Sequence, residues 1–361
     1  MSGPSDRRTP AGNGFRMPAE WEPHAATWIA WPHEASDWPG KFPAIRWVYA
    51  EIVRVLTASE HVEIVVPDAV YERSVLRVLR SVGVDPARIR FHRWPTDRSW
   101  VRDSGPTFVR RARSSATAGT VGLVRWKFNG WAKYDNYRFD RALPLRIARA
   151  THLPVWKARA SDRWVVMEGG AFDVDGRGLL ITTEECLLSE VQARNPGLDR
   201  ADLERVFWNY LGAKTVIWLH RGIKGDDTHG HVDDIARFVA PRTLVAVQPG
   251  DASHPDGSML RENFERLQAF RTPNGDALKV FPLPAPDPVV FRNQHLPASY
   301  ANFYIANRSV LVPTFDDPHD REALEVLSRV FPGREVVGIH ARDLVWGLGT
   351  VHCLTQPQPA P

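Results

Sequence analysis

The chain has 361 residues, with 46 Lys and Arg against 42 Asp and Glu, a net charge of +4 and a pI of about 9.2. The basic residues are scattered among acidic ones and no apolar run reaches membrane-spanning length, which argues against nucleic-acid and membrane partners. Two cysteines, Cys186 and Cys353, cannot build a disulfide framework, and the N-terminus lacks a signal-peptide pattern, so a reducing, cytoplasmic setting is expected.

Residues 1–14 are rich in Ser, Gly, Pro and Arg without apolar periodicity and read as a disordered tail. From residue 15 to the end the chain reads as a single domain. Residues 27–31 are a strand candidate closed by Pro32, and Ile45, Val48, Ile52, Val55 and Leu56 have helical spacing. A strand at 61–66, a helix at 70–79 and a strand at 88–93 follow.

Beyond that point a rhythm sets in, of a polar knot, a β-rich hairpin and then a helix. Trp100-Val101-Arg102-Asp103-Ser104-Gly105-Pro106 precedes strands at 107–109 and 121–126. Glu168-Gly169-Gly170 precedes strands at 171–174 and 179–183 joined by an Asp175-Gly176 turn, then a helix at 200–211 and a strand at 215–219. Residues 230–234 lead into strands at 235–239 and 243–247 and a helix at 260–270, with the Pro-rich residues 281–288 expected to be a loop. Strands at 301–305 and 310–312, a helix at 320–330 and a strand at 335–339 repeat the plan. The spacing predicts an α/β fold of about five ββαβ-type units whose knots face a common axis. Fourteen Trp favour an aromatic-lined pocket or interface.

The knots carry the chemistry. In Asp226-Asp227-Thr228-His229-Gly230-His231-Val232-Asp233-Asp234, a strand beginning at 230 would put His231 and Asp233 on one face. Three readings stay open there: an acid/base histidine beside a carboxylate, a metal site built on His229-x-His231-x-Asp233, or a solvated acidic loop. Glu168 could orient a histidine or simply cap a turn. Trp100 and Asp103 flank a tight turn and could form a shelf and an anchor for a planar cation, or belong to the core and a cap. Near the C-terminus, Val345-Trp346-Gly347-Leu348-Gly349-Thr350-Val351-His352-Cys353-Leu354-Thr355 holds a thiol behind two residues that lack a Cβ. Residues 351–354 read as a short strand, which would send His352 and Cys353 to opposite faces. His352 is then not the obvious base for Cys353.

Together these segments resemble the agmatine deiminase and bacterial peptidylarginine deiminase family, in order and approximate spacing. The resemblance extends through Phe15-Arg16-Met17-Pro18-Ala19-Glu20, Phe128-Asn129-Gly130-Trp131, Thr182-Thr183-Glu184-Glu185-Cys186-Leu187 and Ser299-Tyr300-Ala301-Asn302-Phe303-Tyr304. It implies the pentein fold, a five-bladed α/β propeller, and deimination of a small guanidino substrate, agmatine first. It implies Cys353 as nucleophile, His231 as acid/base and Glu168 as its orienter, with Asp103 and Asp233 holding the guanidinium near Trp100. Asp227 is the candidate partner for a distal ammonium, and Cys186 is expected to be structural. The chemistry so implied needs no metal and no cofactor, and a homodimer is the expected assembly. Other guanidino compounds, peptidyl-arginine, amidino transfer and a non-catalytic binding role are the competing readings. Two loops depart from the family pattern, at Gly347-Leu348-Gly349-Thr350 and at Trp131-Ala132-Lys133. Lys133 would disfavour a substrate with a terminal amine unless it faces solvent.

Overall fold

A computed structural model describes residues 8–111, 120–251 and 253–361 of the chain. Among these, five sheets of three or four strands follow one plan: a first strand antiparallel to a second, which runs parallel to a third. A parallel neighbour needs a crossover, and a helix supplies it. One sheet joins Thr107–Arg111, Thr120–Arg125 and Val155–Lys157, with helix Leu143–Thr151 in the crossover. The next three join Phe172–Val174, Leu179–Thr183 and Thr215–Leu219; Ala236–Ala240, Thr243–Val247 and Lys279–Leu283; and Tyr304–Ile305, Ser309–Thr314 and Glu335–His340. The remaining sheet uses both ends of the chain. Its C-terminal strand Gln356–Pro359 is antiparallel to His24–Ala30, followed in parallel by His61–Val66 and Ile89–Arg93.

Local sequence accounts for these elements. Helix Phe42–Thr57 buries Ile45, Tyr49, Ile52, Val53 and Leu56 along one face. Asp68 caps helix Ala69–Ser81, accepting from the Val70 and Tyr71 amides at 2.7 and 2.9 Å. Asp175 closes the predicted hairpin turn by accepting from the amides of Arg177 (2.7 Å) and Leu179 (2.9 Å).

The polar knots lie just before the first strand of each unit, and they link into a ring. The Gly170 amide donates to Asp103 Oδ1 (2.9 Å) and the Phe238 amide to Asp173 Oδ2 (2.7 Å). Ser299 Oγ donates to the Asp234 carbonyl (2.8 Å), the His352 amide to the Asn302 carbonyl (3.0 Å) and the Arg102 amide to the Cys353 carbonyl (3.2 Å). Each link joins neighbouring units, and the last returns to the start. Five sheets therefore surround one polar centre.

Several expectations need correction. Part of the expected tail is ordered, since Thr9 is buried and Ala11–Asn13 form a 3-10 turn; residues 1–7 lie outside the described residues. The loop expected at 281–288 begins inside strand Lys279–Leu283, where edge position makes Pro282 tolerable. Strand Val155–Lys157 and helix Leu143–Thr151 had no clear signal, one being three residues long and the other opening with Pro144. Residues 230–234 are not a strand start, since Val232–Asp234 form a 3-10 turn. Residues 351–354 form a turn as well, because the last antiparallel strand starts only at Gln356. No helix among the described residues is long and apolar enough to cross a membrane.

Candidate active site

At the centre of the ring a cleft of about 340 Å³ is lined by Trp100, Asp103, Trp131, Asp227, Trp346 and Cys353, among others. Cys353, a buried residue, lines the floor of this cleft. Gly349 makes this possible: a Cβ there would lie 2.8 Å from the Trp100 ring and 3.2 Å from Cys353 Sγ. Asn302 Nδ2 is 3.3 Å from the sulfur, and Asp233 Oδ2 is 3.9 Å from it.

His231 is buried on the other side of Asp233, with Nδ1 4.0 Å from Asp233 Oδ1 and 3.8 Å from Asp103 Oδ2. Its Nε2 faces Glu168 Oε2 at 3.8 Å, a charge contact rather than a hydrogen bond. Glu168 is fully buried, and its other oxygen accepts from Arg194 Nε at 3.2 Å. Gly170 is what lets these groups gather. A Cβ on it would lie 2.5 Å from His231 Nδ1, 3.0 Å from Asp233 Oδ2 and 3.1 Å from Asp103 Oδ1. Asp103 in turn accepts from Trp131 Nε1 at 2.8 Å.

A second layer lies beneath. His352, turned away from Cys353, places Nδ1 2.6 Å from Asp233 Oδ2 and Nε2 3.0 Å from Glu20 Oε2. Glu20 also accepts from Arg102 Nη2 (2.8 Å), Arg237 Nη2 (2.9 Å) and the Ile305 amide (2.9 Å). Arg237, wholly buried, further donates to Asp173 Oδ2 and to the Phe303 carbonyl.

The electrostatics follow from this crowding. Burial pushes the Cys353 thiol well above its ordinary value, and the charges of Asp233, Asp234 and Asp103 push it further. Burial also raises Asp103. For His231 burial opposes the charged form, but Asp103 above all outweighs it and holds the imidazole well above its ordinary value. Burial likewise works against ionised Asp233 and Glu168, yet the His352 hydrogen bond keeps Asp233 low and the Arg194 charge keeps Glu168 low. Burial and the neighbouring carboxylates thus favour the thiol form of Cys353, and the same carboxylates favour the charged form of His231.

Of the seven site residues expected from sequence, Cys353, His231, Glu168, Asp103 and Asp233 converge, and Trp100 packs against the cleft wall. Asp227 lines the cleft further out, where both carboxylate oxygens are already engaged, one by Lys133 Nζ and the other by the Tyr134 hydroxyl. Cys186, expected to be structural, is buried, and its sulfur, a Glu168 oxygen and a His231 nitrogen lie within 4.8 Å of one another. The Arg194 guanidinium on Glu168 makes this trio unfavourable for a cation. The His229-x-His231-x-Asp233 set does not converge as ligands, because His229 Nε2 turns to Ser189 Oγ at 3.1 Å. Trp131 and Asn302 stood in recognised motifs without a role. Arg237, a charge inside the apolar run Ala236–Ala240, was a legible sign of a buried partner. Glu20 likewise stood in a recognised motif without a role, and nothing local marked Arg194.

The sequence model of the Porphyromonas-type peptidyl-arginine deiminases matches residues 16–359. The chain belongs to that family. An agmatine deiminase of Pseudomonas aeruginosa (strain LESB58) is 35% identical over 380 aligned residues, covering 100% of this chain and 99% of the relative. Among solved structures, the agmatine deiminase of Enterococcus faecalis superposes with a TM-score of 0.88 at 30% identity, over 97% of both chains. A C. jejuni agmatine deiminase with substrate bound gives 0.82 at 26% identity, over 95% of this chain and 96% of that one. The fold of this family member is accordingly that of the agmatine deiminases, the α/β pentein fold.

Proposed function

We propose that the chain hydrolyses agmatine to N-carbamoylputrescine and ammonia through a covalent cysteine intermediate. The observation that carries this reading is a thiol at a cleft floor, 3.9 Å from the carboxylate of Asp233, whose Oδ1 accepts no hydrogen bond. Buried acceptors without donors are costly, and a flat guanidinium supplies donors in the matching planar fork. The full-length agmatine deiminase relatives support the choice of substrate.

In this reading Asp103 and Asp233 hold the guanidinium and leave one face of its carbon to Cys353, with Trp100 beside it. Burial first and the neighbouring carboxylates second hold the thiol protonated; the arriving cation offsets the carboxylate charge, so attack is favoured by substrate. The thiol gives up its proton to solvent water as the cation binds, and the thiolate adds to the guanidinium carbon. The adduct collapses with loss of one nitrogen as ammonia, which takes a proton from His231. His231, oriented by Glu168, then accepts a proton from water as the oxygen attacks the amidino-thioether. Cleavage of the C–S bond releases the urea-like product and restores the sulfur. Asp227 is the acid toward which the distal ammonium points. A cleft of about 340 Å³ suits a molecule of this size.

Substituting Cys353→Ala is expected to abolish ammonia release from agmatine. Mass spectrometry of the unaltered protein quenched during turnover should show an amidino adduct on Cys353. Turnover by the Ala variant would refute the covalent route. Release of ammonia from a blocked arginine peptide in preference to agmatine would replace the substrate.

A further inference from the structure

The outer end of the cleft is built differently from its floor. Residues 129–134 form one tight loop in which Trp131 and Ala132 both adopt left-handed backbone, with φ of 58° and 54°. Asn129 Oδ1 accepts from the Ala132 amide at 3.0 Å, and the Gly130 carbonyl from the Lys133 amide at 3.0 Å. Non-glycine residues reach that conformation at a cost, so the loop is held for what it presents. At one end it presents Trp131 to Asp103. At the other it presents Lys133 and Tyr134 to Asp227.

Lys133 therefore brings a primary ammonium to the one outer carboxylate toward which the substrate's own primary ammonium would point. The Asp227 side chain is 12% exposed and Lys133 is 43% exposed, so the lysine can leave for water while the carboxylate stays in the wall. Beside it the Arg98 guanidinium stacks 4.3 Å from the Tyr134 ring centre and is itself paired with Asp37, so its charge is already matched. An ammonium entering here meets an acid already neutralised by Lys133.

We propose that Lys133 is a tethered competitor for the substrate's distal ammonium and sets how well the cleft distinguishes agmatine from guanidines with uncharged tails. The inference rests on the agmatine reading above and adds a specificity-determining residue to it. Binding of agmatine at Asp227 requires Lys133 to swing out, whereas an alkylguanidine of the same length leaves the pair in place. Lys133 thus weakens agmatine binding without touching the reacting carbon, an effect expected in KM and not in kcat.

The test compares agmatine with n-butylguanidine, by ammonia release, in the unaltered chain and in Lys133→Met, which keeps most of the aliphatic stem. In the variant the KM for agmatine should fall by about two- to fivefold, the worth of an exposed ion pair, with kcat unchanged and n-butylguanidine unaffected. An unchanged or higher KM for agmatine overturns the proposal, and so does an equal shift for both compounds, which would mark a structural effect. If the unaltered chain releases ammonia from neither compound, the functional reading falls and takes this proposal with it. Activity on both with no selective effect of Lys133→Met sinks the proposal alone.

Discussion

Two layers of buried charge lie a few ångströms apart in this protein, and they are satisfied to different degrees. In the lower layer, Glu20, Arg102, Arg237 and His352 meet at hydrogen-bond distances between 2.6 and 3.2 Å, counting Asp233 and Asp173 as outer members. In the upper layer, His231 stands 3.8 to 4.0 Å from three carboxylates, and Glu168 Oε2, His231 Nε2 and Asp233 Oδ1 have no hydrogen-bond partner. The lower layer spends its charges on itself and fixes geometry. The upper one leaves acceptors that the protein's own donors do not fill. Asp233 belongs to both, with Oδ2 held by His352 and Oδ1 left without a hydrogen-bond donor. Structural and functional ion networks share burial and sign, and what separates them is whether the protein's own donors fill them.

The largest effect that could break this contrast is on the lower layer. Glu20→Gln replaces an acceptor by a donor that opposes Arg102 or Arg237, leaving a buried guanidinium short of its partner. A loss of about 3–5 kcal/mol in unfolding free energy is expected, measured by denaturant titration. The pH dependence gives the same group a second signature. Although burial opposes it, the charges of Arg237, His352 and Arg102 hold the Glu20 carboxyl well below its ordinary 4.5. Its contribution is thus fully present above that value and is lost as pH falls through the lower folded value. The Gln variant should show a flatter acid limb, and an unaltered one would remove Glu20 from the keystone position.

Next in size is Gly170→Ala in the upper layer. Its methyl would displace His231, Asp233 or Asp103, and kcat/KM should drop by about 10²-fold, as misplacement of reacting groups does, with an overpacking loss of about 1–3 kcal/mol in stability. A fully active variant would show that this packing does not position the chemistry.

The smallest effect sharpens the electrostatic half of the contrast. Asp103→Asn removes one of the charges that disfavour the thiolate, so the Cys353 pKa should fall and the free protein should react faster with iodoacetamide at neutral pH. One pKa unit is about tenfold in thiolate population, which bounds the gain. The same variant should bind agmatine more weakly, with a higher KM. Slower alkylation would mean that Asp103 does not act on the thiol through charge.

Read without its fold, the chain already disclosed five repeating units, the helices and strands with strong periodicity, and the motifs that hold Cys353, His231, Glu168, Asp103 and Asp233. Those features are local, because spacing and residue type specify a helix, a hairpin or a turn within a dozen positions. Two local readings failed at the site itself, where residues 230–234 and 351–354 looked like strands and are turns. At both places the backbone is directed by contacts from other units, such as the Asn302 carbonyl on the His352 amide, and not by its own propensity. Only the tertiary structure could decide that Glu20 lies beneath the cleft, that Trp131 reaches Asp103, or that Lys133 neutralises Asp227. Those pairings join residues up to 332 positions apart, and no periodicity in a sequence encodes which distant charges will share a site.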